Sequence, residues 1–302
     1  MRVHVCGSRG STSAPGADFV RYGGHTSCVV IARDGGPPQL VLDAGTGIRQ
    51  VTSLLGGRAF EGAILLSHLH WDHLHGLPFF AGGDRDDAAV TLYVPAQDRS
   101  AADLLAQAMS PPIFPIDSSG LRGTWQFESL AEGEHSIAGF TVLAREIPHK
   151  GGRTYGYRIS DGATSLAYLP DHHPATYGPG PTGTGSEHEA ACALADGVDL
   201  LIHDTQHTAA EFAARSHYGH STYEYALGLA RTCGVGTLLA FHHDPARTDD
   251  ELDAIAVRLA GREPRVLIAA DGQVIDLAHV TGEKRTNISI DHLAGQSRPS
   301  AC

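Results

Sequence analysis

Lysine is almost absent from this chain, occurring only at positions 150 and 284. Lys and Arg together number 22 against 34 Asp and Glu, a formal charge of −12 at pH 7. That balance argues against a long polyanion such as RNA as the main partner, because phosphate backbones attract basic faces. It leaves a small phosphorylated substrate open. Cysteine is scarce too. Cys6, Cys28, Cys192, Cys233 and Cys302 are odd in number, widely spaced and form no C-x-x-C pair. Neither a disulfide framework nor a thiolate zinc site is indicated, and a reducing cytoplasm is the implied compartment. No apolar run approaches the ~18 residues of a membrane span. The start, Met1-Arg2-Val3-His4-Val5, enters a strand-like segment rather than a signal peptide.

What is present is a series of short apolar runs ending at Gly, Asp or Pro. Val3–Cys6, Cys28–Ala32, Gln39–Leu42, Ala63–Leu66, Thr91–Val94, Phe140–Glu146, Thr154–Ile159, Ser165–Tyr168, Leu200–Ile202, Thr237–Phe241 and Arg265–Ala269 read as strands. Helical patterns fall at Gly45–Leu55, Gln97–Met109, Ser186–Ala195, Thr222–Cys233 and Thr248–Leu259. The last opens Thr248-Asp249-Asp250-Glu251, a capping box with acids at the positive end of the helix dipole. Strands dominate the first half and α/β alternation the second, so the class is mixed α/β with large sheets. Ser110–Gly123 and Tyr177–Gly185 read as long loops. No composition boundary divides residues 1–280, and a polar tail is expected from Thr281 to Cys302.

The densest chemistry is Ser67-His68-Leu69-His70-Trp71-Asp72-His73. The apolar run Ala63-Ile64-Leu65-Leu66 leads into it and Gly76-Leu77-Pro78-Phe79-Phe80 leads out, so a buried strand aims these donors. In a loop, His68 and His70 project to one side, and after the next bend Asp72 and His73 face a second point. One loop thus supplies two neighbouring metal ions, and imidazole with carboxylate suits Zn, Mn or Fe rather than Ca or Mg. Further donors stand where apolar strands end: His149, Asp171-His172-His173, His203-Asp204 and His242-His243-Asp244.

In their order along the chain, Leu42-Asp43-Ala44-Gly45-Thr46-Gly47, Ser67–His73, Pro148-His149, Leu169-Pro170-Asp171, Leu201-Ile202-His203-Asp204-Thr205, Gly219-His220-Ser221-Thr222 and Phe241-His242-His243 resemble the metallo-β-lactamase-fold hydrolases. Within that family they resemble the tRNase Z-like and cyclic phosphodiesterase-like branch. The resemblance implies an αββα sandwich, two facing mixed sheets flanked by helices, over residues 1–280. It also implies two divalent ions, Zn foremost, with Mn or Fe as alternatives. His68, His70 and His149 would hold the first ion; Asp72, His73 and His242 the second; Asp171 would bridge them. His243 competes with His242 for its place. Asp43 would hold the metal loop by hydrogen bonds, and His172 and His173 would lie behind the ligands or at the surface. Members of the family are often dimers, so a homodimer is compatible.

Two metals ~3.5–4 Å apart can bridge a hydroxide and clamp the oxygens of an in-line displacement. The expected activity is hydrolysis of a small or cyclic phosphodiester, with Asp72 and His220 catalytic. In the resembled branch the histidine of Gly219-His220-Ser221-Thr222 sits beside the scissile phosphate, where it can protonate a leaving alkoxide. The simpler account is an N-cap, with Ser221 or Thr222 capping the helix from Tyr223. Lys150, Arg153 and Arg247 are cations near the motifs that read as ordinary surface charges or as phosphate contacts. Ser8–Ser11 and Gly23–Ser27 are Gly-rich turns able to approach the pocket, and Tyr155, Tyr157 and Trp71 line it or fill the core. Rival readings are a lactone or thioester hydrolase and a tRNA 3′-end endonuclease. The second is weakened by the lack of a Lys/Arg cluster.

Overall fold

The computed structural model describes residues 1–277, so the expected tail from Thr281 lies outside the described residues. Fourteen strands are present among them: β1 Arg2–Gly7, β2 Cys28–Ala32, β3 Pro38–Leu42, β4 Glu61–Leu65, β5 Ala89–Pro95, β6 Thr124–Leu130, β7 Gly133–Ile137, β8 Phe140–Ile147, β9 Thr154–Ser160, β10 Ser165–Leu169, β11 Leu200–Asp204, β12 Thr237–Phe241, β13 Arg265–Ile268 and β14 Val274–Asp276. The helices are α1 Ile48–Leu54, α2 Trp71–Leu74, α3 Ala101–Ala108, α4 Glu189–Ala195, α5 Ala209–Arg215, α6 Tyr223–Thr232 and α7 Asp249–Leu259.

The strands form two seven-stranded sheets, β14-β1-β2-β3-β4-β5-β6 and β13-β12-β11-β10-β9-β8-β7. In the first, pairing is antiparallel from β14 to β3 and parallel from β3 to β6. The second repeats the scheme, antiparallel from β7 to β10 and parallel from β10 to β13.

Alternate residues explain the layers. On β2, Val29 and Ile31 face the second sheet, while Cys28 and Val30 face the outer helices. A strand covered on both faces reads as an unbroken apolar run, as Cys28–Ala32 does. The inner core joins Val3, Ile31, Leu42 and Leu65 to Val142, Tyr157, Tyr168, Ile202 and Phe241. Ile48, Val51 and Leu105 of α1 and α3 pack on the first sheet. Leu194 of α4 and Ala226 and Leu229 of α6 pack on the second. The αββα order expected from the resemblance is the one found.

Thr248 and Glu251 form the expected capping box on α7, and Thr222 Oγ1 accepts from the Tyr225 amide to cap α6. Among elements that the sequence pattern did not mark are α5, a seven-residue helix with its own capping box of Thr208 and Glu211, and the strands β6, β7 and β14.

Candidate metal centre

The strands that carry the motifs end on one rim. Leu66-Ser67-His68 follows β4, Pro148-His149 follows β8, Pro170-Asp171 follows β10 and His242 follows β12. His203 and Asp204 are the last residues of β11. Strained backbone gathers there too. Among the described residues the non-glycine positions with positive φ are Ser11, Asp43, Ala138 and His242, and three of these four touch the site. Left-handed backbone in such residues persists only where its surroundings hold it, and it clusters at functional sites.

Three groups of donor atoms result among the described residues, each with its atoms within 4.8 Å of one another: His68, His70, His149 and Asp171, then Asp72, His73, Asp171 and His242, and third Asp204, His220 and His242. The first two share the Asp171 carboxylate. Its Oδ2 lies 3.4 Å from His149 Nε2 and 3.7 Å from His68 Nε2. Its Oδ1 lies 3.0 Å from His73 Nε2 and 3.1 Å from His242 Nε2. Asp72 Oδ2 completes the second group, 3.2 Å from His242 Nε2 and 3.3 Å from His73 Nε2. His242, rather than His243, brings a ring nitrogen into the cluster. His243 Nε2 is engaged with the Ala269 carbonyl oxygen at 2.9 Å, and burial pushes its pKa down to about 3.

Partners behind the donors fix their tautomers. Asp43, fully buried, accepts from His73 Nδ1 at 2.7 Å, from the Ser67 amide at 2.6 Å and from the Tyr168 hydroxyl at 2.8 Å. His149 Nδ1 donates to the Gly219 carbonyl at 2.8 Å. In both rings the proton on Nδ1 leaves the Nε2 lone pair facing the cluster. The Ser11 amide donates to Asp72 Oδ2 at 2.6 Å. A Cβ on Gly10 would lie 2.4 Å from His242 Nδ1, so only glycine lets the backbone pass behind that ring.

The electrostatics call for cations. Burial holds His68 well below its usual pKa and His149 down to about 4, leaving neutral imidazoles. Burial alone would raise Asp72 and Asp171, yet the rings of His73 and His242 outweigh it and hold both below the usual carboxylate range. At His73 burial is in turn outweighed by Asp72, Asp171 and Asp43, which hold its pKa well above the usual value, so a cation at this point would displace the His73 proton. His68 Nε2, His73 Nε2 and Asp171 Oδ1 are buried without a hydrogen-bond partner. Such atoms are costly unless something else satisfies them. Nitrogen and carboxylate oxygen converging on two points fit Zn, Mn or Fe.

The cluster opens into a cavity of about 740 Å³, walled in part by Ser11, Trp71, Gln206, His207, Tyr218 and His220. Trp71 is 67% exposed at its lip, whereas Tyr155 and Tyr157 are wholly buried in the core. Lys150 and Arg153 are exposed. Arg247 is not a surface charge. It is buried, and its guanidinium donates to Glu211 at 2.8 Å and to the Gln206 carbonyl at 3.3 Å. His172 is buried behind the ligands, its amide on Asp204 Oδ2 and its Nδ1 3.0 Å from His203 Nε2. His173 is half-buried.

The residue that sequence reasoning left without a role is Asp204. Its Oδ2 lies 3.1 Å from His220 Nδ1 and also accepts from the amides of His172 and Ser221. Burial disfavours a charged ring at His220. The Asp204, Asp171 and Asp72 carboxylates outweigh that and lift its pKa to about 9. An Asp at the end of a strand, ahead of a Gly-His-Ser-Thr turn, was the available signal. Gln206, Arg215, His207 and Tyr218 had none, since they gain meaning only from the cavity they wall.

Comparisons with known proteins agree with this architecture. Part of a ribonuclease Z of Exiguobacterium sp. is 41% identical over 75 residues, which is 25% of this chain and 21% of that protein. A ribonuclease Z of Limosilactobacillus reuteri is 25% identical over 259 residues, covering 71% of this chain and 80% of the relative. The metallo-β-lactamase fold protein YhfI from Bacillus subtilis superposes with a TM-score of 0.64 at 19% identity, over 91% of this chain and 99% of that one, a likeness of fold. The family model described as "Beta-lactamase superfamily domain" matches residues 39–243. The chain therefore belongs to the beta-lactamase superfamily and is a metallo-β-lactamase-fold, metal-dependent hydrolase.

Proposed function

We propose that the protein is a dinuclear phosphodiesterase acting on a small or cyclic phosphodiester. One observation carries this reading: His220 lies beside the donor clusters with the Asp204 carboxylate against its Nδ1. Its ring centroid is 5.2 Å from that of His149 and 5.0 Å from that of His242. His68, His70 and His149 would hold one ion, Asp72, His73 and His242 the other, and Asp171 both. Divalent ions bound there supply Lewis acidity and make water a nucleophile at neutral pH.

The chain's own groups do the rest. Asp204 orients His220 through Nδ1 and favours the charged ring, so Nε2 can deliver a proton to the departing alkoxide. Asp72, held ionised, can orient the attacking water while it ligates. Asp43 and Gly219 keep His73 and His149 in the ligating tautomer.

RNA cleavage is the second reading, favoured by the relatives named ribonuclease Z. Against it, Lys150 is the one lysine among the described residues, and Arg215 at the cavity wall is paired with Asp244. The test is hydrolysis of bis(p-nitrophenyl) phosphate, cyclic nucleotides, tRNA, a lactone and a thioester by metal-depleted protein reloaded with Zn or Mn. Metal-dependent turnover of the small esters and none of tRNA supports the proposal. Turnover of a lactone or thioester alone refutes it.

A further inference from the structure

A second cavity is larger than the one over the donor clusters. A space of about 1220 Å³ lies outside the first sheet, between α1 and α3. Its wall includes Leu74, His75, Gly76 and Leu77, the residues directly after Asp72 and His73. Loop residues Ile113 and Phe114 border it, and Phe114 packs edge-to-face on Phe79 at 5.9 Å. Nothing in the phosphodiesterase reading uses this space.

Its lining is divided. Leu74, Leu77, Leu105, Met109, Ile113 and Phe114 make an apolar wall. The lining also holds Ser13, His25, Thr46 and Arg49, a polar group where Thr46 Oγ1 lies 3.2 Å from Ser13 Oγ and 3.4 Å from His25 Nδ1. Arg49 is exposed, and no carboxylate lines the cavity, although acids outnumber Lys and Arg 34 to 22 in the chain. The ionisable lining residues are Arg49, His25 and His75. Burial and the neighbouring Arg49 lower the pKa of His25, so the fixed charge of the lining is the Arg49 guanidinium. In so acidic a protein, an apolar wall beside that cation and without a carboxylate is complementary to an anion that has an apolar body. Small-molecule sites have this composition, apolar walls with a few convergent polar groups, and span roughly 300–1,000 Å³. A volume of about 1220 Å³, above that range, leaves room for a long flexible ligand.

We propose that this cavity is a binding site for a small amphiphilic anion, an acyl or alkyl chain bearing a carboxylate or phosphate. The head group lies against Arg49, Thr46 and His25, and the chain runs along Leu77, Leu105 and Phe114. Helix α1 supplies the cation and α3 the apolar floor. The site is separate from the metal-binding rim and is independent of what the enzyme hydrolyses.

Calorimetric titration of the metal-loaded 302-residue chain with decanoate, decyl phosphate and 1-decanol tests this without turnover. At least one anion should bind saturably at one site per chain, about tenfold more tightly than 1-decanol, the worth of one charge-assisted contact. A preference between the two anions identifies the head group. Arg49→Gln should bring the better anion to the level of the alcohol. Ala108→Trp, which fills the space from α3, should abolish binding of all three. Circular dichroism melting of each variant excludes a folding defect. No saturable binding of either anion by the wild type, or binding unaltered in Ala108→Trp, overturns the proposal.

Discussion

Asp204 Oδ2 is shared by three donors, His220 Nδ1 at 3.1 Å, the His172 amide at 3.0 Å and the Ser221 amide at 3.1 Å. The Asp204 side chain therefore fixes both the ring and the turn that carries it. In Asp204→Asn the pKa of His220 should fall from about 9 toward or below the ordinary value. The acid form would then be lost at neutral pH, and the alkaline limb of kcat/KM should move to lower pH. A pH–rate profile checks this, and an unmoved limb excludes the pairing from catalysis.

His220→Ala should lower kcat by roughly 10²–10⁴, the range for a positioned proton donor. The loss should depend on the leaving group. p-Nitrophenolate departs without a proton, so its esters should suffer least and alkyl esters most. Equal losses for both would assign His220 to binding.

Asp43→Ala leaves His73 Nδ1, the Ser67 amide and the Tyr168 hydroxyl without their shared acceptor. Metal affinity should fall about 10–100-fold, as for other groups that orient ligands. Competition with a chromophoric chelator measures it, and unchanged affinity contradicts the role given to Asp43.

Metal content separates the adjacent histidines. By mass spectrometry the wild type should carry two ions per chain, and His242→Ala should lose at least one. His243→Ala should keep both but melt lower, since it loses the bond to the Ala269 carbonyl. A stoichiometry of one in His243→Ala would reverse the assignment.

Burial holds the pKa of His207 down to about 4 and that of His243 to about 3. In the unfolded chain both titrate near 6.5, so below that pH the unfolded state binds more protons than the native state. The stability they contribute is complete above pH 6.5 and is lost as pH falls through it toward 4. Each group contributes a slope of up to about 1.4 kcal/mol per pH unit. Chemical denaturation of the metal-free protein at pH 7, 6 and 5 tests this, and a flat profile rules it out.

The sequence revealed most where a segment is buried on two faces. Cys28–Ala32 and Thr237–Phe241 were read at their true limits, since neighbours on both sides demand apolar residues at every position. The missed strands β6, β7 and β14 are all edges of the two sheets. In Gly133-Glu134-His135-Ser136-Ile137 only Ile137 is buried, so no alternating apolar pattern distinguishes it from a loop. The donors were legible because each follows a recognisable strand. The Asp204–His220 pair and the second cavity were not, because they arise from segments brought together only by the strand order and by packing of α1 and α3 on the first sheet.

The proposed ligands divide between the sheets. His68, His70, Asp72 and His73 follow β4 of the first, while His149, Asp171 and His242 follow strands of the second. Besides the apolar layer between them and hydrogen bonds such as Tyr168 to Asp43 and Tyr157 to the Leu66 carbonyl, the sheets would be joined by coordinate bonds at one rim. Ions held there would act as rivets, so that peeling one sheet from the other requires their release. The loaded protein should thus resist separation of its halves from the metal rim and yield first at the opposite one, a polarity that hydrogen exchange would record as a gradient along the strands.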